Sequence, residues 1–128
     1  MEVTAKYLGG SRFDASTRGH SVVSDQPLDH QGGDLGMTPP ELLLSALATC
    51  AGYYAAEYLN TRHLSTEGLA VHVVAEKALH PARLASFRIE VATEVLDDHH
   101  SAGLLRSVHA CLVHNTLLHK PSIEVVLR

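Results

Sequence analysis

The stretch that decides the fold is Thr38-Pro-Pro-Glu41-Leu-Leu-Leu-Ser-Ala-Leu-Ala-Thr-Cys50-Ala-Gly-Tyr-Tyr-Ala-Ala-Glu-Tyr-Leu59. Thr38 is a helix N-cap, and Pro39 and Pro40 fall at the first helical positions, where a missing N–H costs nothing. Glu41, three residues after Thr38, completes a capping box and suits the positive end of the helix dipole. The body, Leu42 to about Leu59, is apolar nearly all round, unlike an ordinary surface helix. Its length is near the lower limit for a membrane span. Ser45, Thr49, Glu57 and three tyrosines oppose a span, and the short strands on either side need a soluble sheet. The expectation is a helix buried on every side. A domain this small offers it one sheet and one core, so its remaining faces need a partner. The natural partner is a second copy, which predicts an apolar homodimer interface.

Working outward, Glu2–Tyr7 alternates and reads as a strand, and Gly9-Gly10 marks a turn. Phe13–Ser16 and His20–Ser24 are two further strands. Residues 27–40 form a loop with Gly32-Gly33, Gly36 and Pro39-Pro40. Beyond the helix, Leu69–Ala75 and the alternating segment Phe87–Val95 predict a hairpin, with Pro81 in its turn. Asp97-Asp98 cap a second helix whose apolar spacing (Ala102, Leu105, Val108, Leu112, with Leu104 and Cys111) carries it through Cys111. Ile123, Val125 and Leu127 predict a closing strand. The fold class is α+β: an antiparallel sheet with a long buried central helix and a second helix.

The chain has 128 residues, which predicts one domain over 1–128. With 45% hydrophobic and 19% charged residues it is not a disordered chain. Ten Lys and Arg against 14 Asp and Glu leave a net charge of −4, with no basic run and no Trp. A nucleic-acid partner is therefore not expected, and neither is a membrane. The first six residues carry charge, with no long apolar run, so no secretory signal is expected and the chain is placed in the cytoplasm.

Cys50 and Cys111 are not a C-x-x-C pair, and two thiols alone do not make a thiolate zinc site. They are buried core thiols, a single reactive thiol, or a redox pair that meets in the fold. Cys50 lies mid-helix, away from the helix N-terminus that lowers a thiol pKa, so activating it needs a nearby cation. Glu41, nine residues earlier, lies about 13 Å away along the axis and cannot touch it within that helix. His109, Cys111 and His114 resemble a ligand cluster but lack a fourth donor, so no metal and no cofactor are expected. No phosphate-binding glycine motif is present. Asp14, Asp25, Asp29 and Asp34 have no spacing that pairs carboxylates for hydrolysis.

Arg18-Gly-His20, Asp25-Gln-Pro27, Gly32-Gly33-Asp-Leu-Gly36-Met-Thr-Pro39-Pro-Glu41-Leu-Leu-Leu44 and Ser45-Ala-Leu47-Ala-Thr-Cys50 resemble the OsmC/Ohr family of osmotically induced and organic-hydroperoxide-resistance proteins. Cys111-Leu-Val-His114-Asn-Thr116-Leu117 is similar to that family's second-cysteine segment. The resemblance implies an intertwined α+β homodimer with cysteine sites at the subunit interface. It also implies thiol-dependent reduction of organic hydroperoxides at the expense of a dithiol reductant. Cys50 then matches the peroxidatic thiol, Cys111 the resolving thiol, and Arg18 the activating cation, with Arg12 the weaker match. Two departures stand out. Pro40 occupies the place of the family's catalytic glutamate, so Glu41 is read first as a helix cap and only second as an arginine partner. Leu112 stands where a proline commonly follows the second cysteine. This pattern is closer to the YhfA-like branch. The alternatives are a dimer that senses oxidation or binds a small apolar ligand without turnover, and a structural dimerisation domain with inert thiols.

Overall fold

The structure, a computed structural model, describes residues 1–127. The fold is α+β with antiparallel sheets, and the chain groups into two compact units that divide between Leu44 and Ser45. The first holds a three-stranded meander: β1 (Thr4–Gly9), β2 (Arg12–Thr17) and β3 (His20–Ser24). β2 and β3 close through Arg18 (φ 51°) and Gly19 (φ 81°), with Thr17 paired to His20. Two successive left-handed residues make the turn whose twist matches flanking strands. A 3₁₀ turn at Leu28–His30 lies in the loop that follows.

Helix α1 spans Pro39–Thr61, as its cap residues predict. The capping box forms in both directions: Thr38 N–H donates to Glu41 Oε2 at 2.7 Å, and Glu41 N–H to Thr38 Oγ1 at 3.4 Å. The helix ends with His63 left-handed (φ 56°) and Leu64 N–H bonded to the Leu59 carbonyl at 2.9 Å. Within the chain α1 buries one stripe, Leu47, Ala51, Ala55, Tyr58 and Leu59, spaced as one helical face. Leu43 and Tyr53 on other faces are exposed.

The second unit packs around that stripe. The hairpin of β4 (Ala70–Ala78) and β5 (Arg83–Ala92) turns Val71, Ile89 and Val91 toward the core. Helix α2 (Asp98–His109) contributes Leu104 and Val108. Its predicted cap holds: Asp97 Oδ1 accepts His100 N–H at 2.7 Å. Gly103 lies against the Tyr58 ring, whose hydroxyl is 3.1 Å from His100 Nδ1.

Three expectations are corrected. The strands make two separate sheets, of three and two strands, and not one. The second helix does not run through Cys111. It stops at His109, Cys111 takes an extended backbone (φ −54°, ψ 131°), and α3 (Leu112–Leu118) begins anew. The break lets Cys111 turn its side chain fully inward while its carbonyl starts the next helix through Asn115 N–H at 3.0 Å. Ile123–Leu127 forms no strand among the described residues. Ile123, Val125 and Leu127 are exposed, because alternation builds a strand only where an edge receives it.

Gly103→Ala would place its Cβ on the Tyr58 hydroxyl, which is buried and held by His100. The substitution should destabilise the protein by about 1–3 kcal/mol in urea unfolding. Gly52→Ala is the control, since a Cβ there meets only Val71 Cγ2, at an ordinary 3.6 Å.

Candidate functional site

Both cysteines lie in the second unit and both are free thiols. Cys50 sits mid-α1, one residue before the buried Ala51, and is partly exposed. Cys111 sits in the break between α2 and α3 and is 0% exposed. Sixty residues of hairpin and helix separate them in the chain, and the fold brings them near enough to influence each other's ionisation. Burial pushes the Cys111 thiol above its ordinary range, and the neighbouring Cys50 pushes it the same way. Backbone N–H groups of His114 and Val113, at the start of α3, face the Cys111 sulfur and act in the opposite direction. The pair is therefore asymmetric in exposure, with Cys50 partly exposed and Cys111 buried.

The surroundings are mixed. Tyr54 lines a groove of about 570 Å³ together with Ala110 and Leu112, the neighbours of Cys111. Ser107 Oγ donates to the Tyr54 carbonyl at 3.1 Å, which ties α2 to α1 close by. His109 and His114 bracket Cys111: their rings are 5.2 Å apart, and His114 Nδ1 lies 3.1 Å from the His109 carbonyl. They brace the helix break. Among the described residues no three His, Cys, Asp or Glu side chains converge as metal ligands.

Arg18 and Glu41 belong to the first unit. Arg18 is at the tip of the β2–β3 hairpin, exposed, with no ion pair among the described residues. Arg12 opens β2 and donates Nη2 to the Leu8 carbonyl at 3.4 Å. Glu41 caps α1, as the first of its two readings has it.

Sequence reasoning passed over Asp25. It is 1% exposed, and its carboxylate accepts from Ser11 Oγ (2.5 Å) and from the backbone N–H of Gln26 (2.8 Å), Gly33 (3.1 Å) and Leu35 (3.1 Å). The Ser11 hydroxyl, followed by the Leu35, Gln26 and Gly33 amides, holds its pKa down from 3.8 to about 2 against the opposing effect of burial. A search for paired carboxylates finds no partner for it, because its partners are backbone groups.

The fold is α+β, and its second unit holds two free thiols, one partly exposed and one buried. The family model for OsmC-like protein matches residues 31–126, and the chain belongs to the OsmC family. Solved structures share the fold. A protein from Psychrobacter arcticus assigned to the osmotic stress induced and detoxification response superposes with a TM-score of 0.81 at 22% identity, covering 89% of this chain and 85% of the other. An OsmC-like protein from Mycoplasma pneumoniae gives 0.74 at 19% identity, covering 93% and 87%. An organic hydroperoxide resistance protein from Legionella pneumophila gives 0.62 at 18% identity, covering 91% and 89%. No curated protein matches. Among the described residues no helix is long and apolar enough to cross a membrane.

Two outcomes follow from this geometry. Iodoacetamide near pH 8 should alkylate Cys50 several-fold faster than Cys111, as read by peptide mass spectrometry, because the thiolate is the nucleophile and Cys111 is both buried and pushed up. Asp25 has a folded pKa below its unfolded one, so its contribution to stability is present above about pH 4 and lost as the pH falls toward 2. Urea midpoints should fall across that window in the wild type and vary less there in Asp25→Asn.

Proposed function

We propose that this protein reduces organic hydroperoxides with Cys50 as the peroxidatic thiol and Cys111 as the resolving thiol. The observation that carries the reading is the proximity of the two cysteines, one partly exposed and one buried, on separate elements of the fold. The Cys50 thiolate attacks the distal oxygen of ROOH and the O–O bond breaks. The alkoxide leaves and takes up a proton as ROH, and Cys50 becomes the sulfenic acid. The Cys111 sulfur then attacks the Cys50 sulfur, water departs, and a disulfide remains. An external dithiol reduces it by two exchange steps and closes into its own intramolecular disulfide. Hydroperoxide resistance in the Legionella pneumophila structure's name supports this choice of oxidant.

Arg18 is assigned the role of activating cation, favouring the Cys50 thiolate and stabilising charge on the leaving oxygen. Glu41 acts through the helix start that it caps. The active form is assigned as a homodimer, and its place in the cell as the cytoplasm. The homodimer assignment is supported by the apolar residues one chain leaves exposed: Leu43 and Tyr53 on α1, and Ile123, Val125 and Leu127 at the C-terminal end.

The reduced protein should consume many equivalents of cumene hydroperoxide with excess dihydrolipoamide, and Cys50→Ser should abolish turnover. Cys111→Ser should react once and accumulate sulfenic acid, trapped by dimedone. Arg18→Ala should slow Cys50 oxidation by at least tenfold, on the order expected for losing one charge-stabilising donor. A wild type that oxidises once and stalls with dithiol present would instead be a sensor. One that leaves both thiols titratable overturns the peroxide reading. Sedimentation at micromolar concentration checks the dimer.

A further inference from the structure

The thiol chemistry leaves one buried charge unused, Asp25, at the end of β3. Its two oxygens take four donors: Ser11 Oγ and Gln26 N–H on Oδ1, Gly33 N–H and Leu35 N–H on Oδ2. Four donors fill the acceptor capacity of an ionised carboxylate. The loop wraps around this centre through Asp34 N–H to the Gln26 carbonyl (3.0 Å) and Gly32 N–H to the Pro27 carbonyl (3.0 Å). Side chains are crowded where it closes. A Cβ at Gly33 would come 3.1 Å from Asp25 Oδ2, and one at Gly32 would sit on the Gln26 carbonyl. The loop leaves through Asp25 N–H to the Met37 carbonyl at 3.3 Å. The next residue is Thr38, whose N–H is held by Glu41.

Successive backbone N–H groups that converge on one point form an anion-binding nest. Here the chain's own carboxylate occupies it. We propose that residues 25–37 are an anion cradle with a built-in occupant, that Asp25 positions the Thr38–Glu41 helix start through it, and that the cradle emptied of this side chain takes up a small monocarboxylate. In Asp25→Ala, which keeps Cβ and removes only the carboxylate, the bound group is then formate, held by the amides of Gln26, Gly33 and Leu35 and the hydroxyl of Ser11. Shape and hydrogen-bond count select it: the site offers donors to two oxygens in one plane, which a halide cannot use.

The test is chemical rescue, read on the full chain by amide hydrogen exchange and the Thr38 amide proton shift. In Asp25→Ala, protection at Gly33 and Leu35 should fall at least tenfold, and the Thr38 amide should move toward its unbonded position. Formate should restore both saturably, and sodium chloride at equal ionic strength should not. A general loss of stability would leave the Thr38 shift of the folded fraction unchanged and would not distinguish formate from chloride. Wild-type protection in Asp25→Ala overturns the proposal, and so does equal rescue by the two salts. If Asp25→Ala does not fold, Asp25→Asn decides. Its amide nitrogen cannot accept, so exchange must rise at Gln26 or at Gly33 and Leu35, and wild-type exchange at all three overturns the proposal. These readouts do not depend on peroxide turnover.

Discussion

Burial of a single stripe of α1 organises the second unit. Ala51, Ala55, Tyr58 and Leu59 form the face on which the β4–β5 hairpin and α2 assemble, and Leu104 and Val108 come to it from α2. A fully buried leucine such as Leu59 contributes about 1.5–3 kcal/mol by leaving water. Gly103 leaves room for the Tyr58 ring, which also carries the Arg62 guanidinium 3.8 Å above its centre. Cys50 sits on this helix next to Ala51, so its position is inherited from the packing of the core.

Cys111 reaches Cys50 only because the second helix is interrupted. A continuous helix carries its side chains outward at a fixed pitch. Leaving the helical conformation for one residue turns the sulfur inward and starts α3 in the same step. The result is electrostatically lopsided. Burial and the neighbouring Cys50 both favour the protonated form of Cys111, while Cys50 stays partly exposed. An asymmetric dithiol of this kind suits two thiols with different tasks, one that meets an oxidant and one that follows.

Asp25 plays the corresponding part in the first unit, where there is little apolar core. Its loop is ordered around a charge whose partners are backbone amides, and the order passes along the chain to the start of α1. The start of α1 belongs to this first unit and its buried stripe to the second.

Much of this was legible in the residues. Thr38 and Glu41 lie within one turn of each other, so a capping box is a local event and its reading needs no tertiary knowledge. The alternation of Phe87, Ile89 and Val91 likewise fixes β5 from neighbours alone, and Asp97 caps α2 for the same reason. The matched motifs around Cys50 and Cys111 were enough to point to the family. Tertiary structure decided what depends on distant partners. The apolar spacing through Leu112 is the same for one helix or two, and only the burial of Cys111 chose between them. Ile123–Leu127 has a strand's pattern, but a pattern cannot supply the edge that would receive it. The bond from Asp25 to Gly33 and Leu35, and the proximity of Cys50 to Cys111, join residues that local sequence treats as independent. Local hydrogen bonds set where elements begin, and long-range burial set which side chains meet.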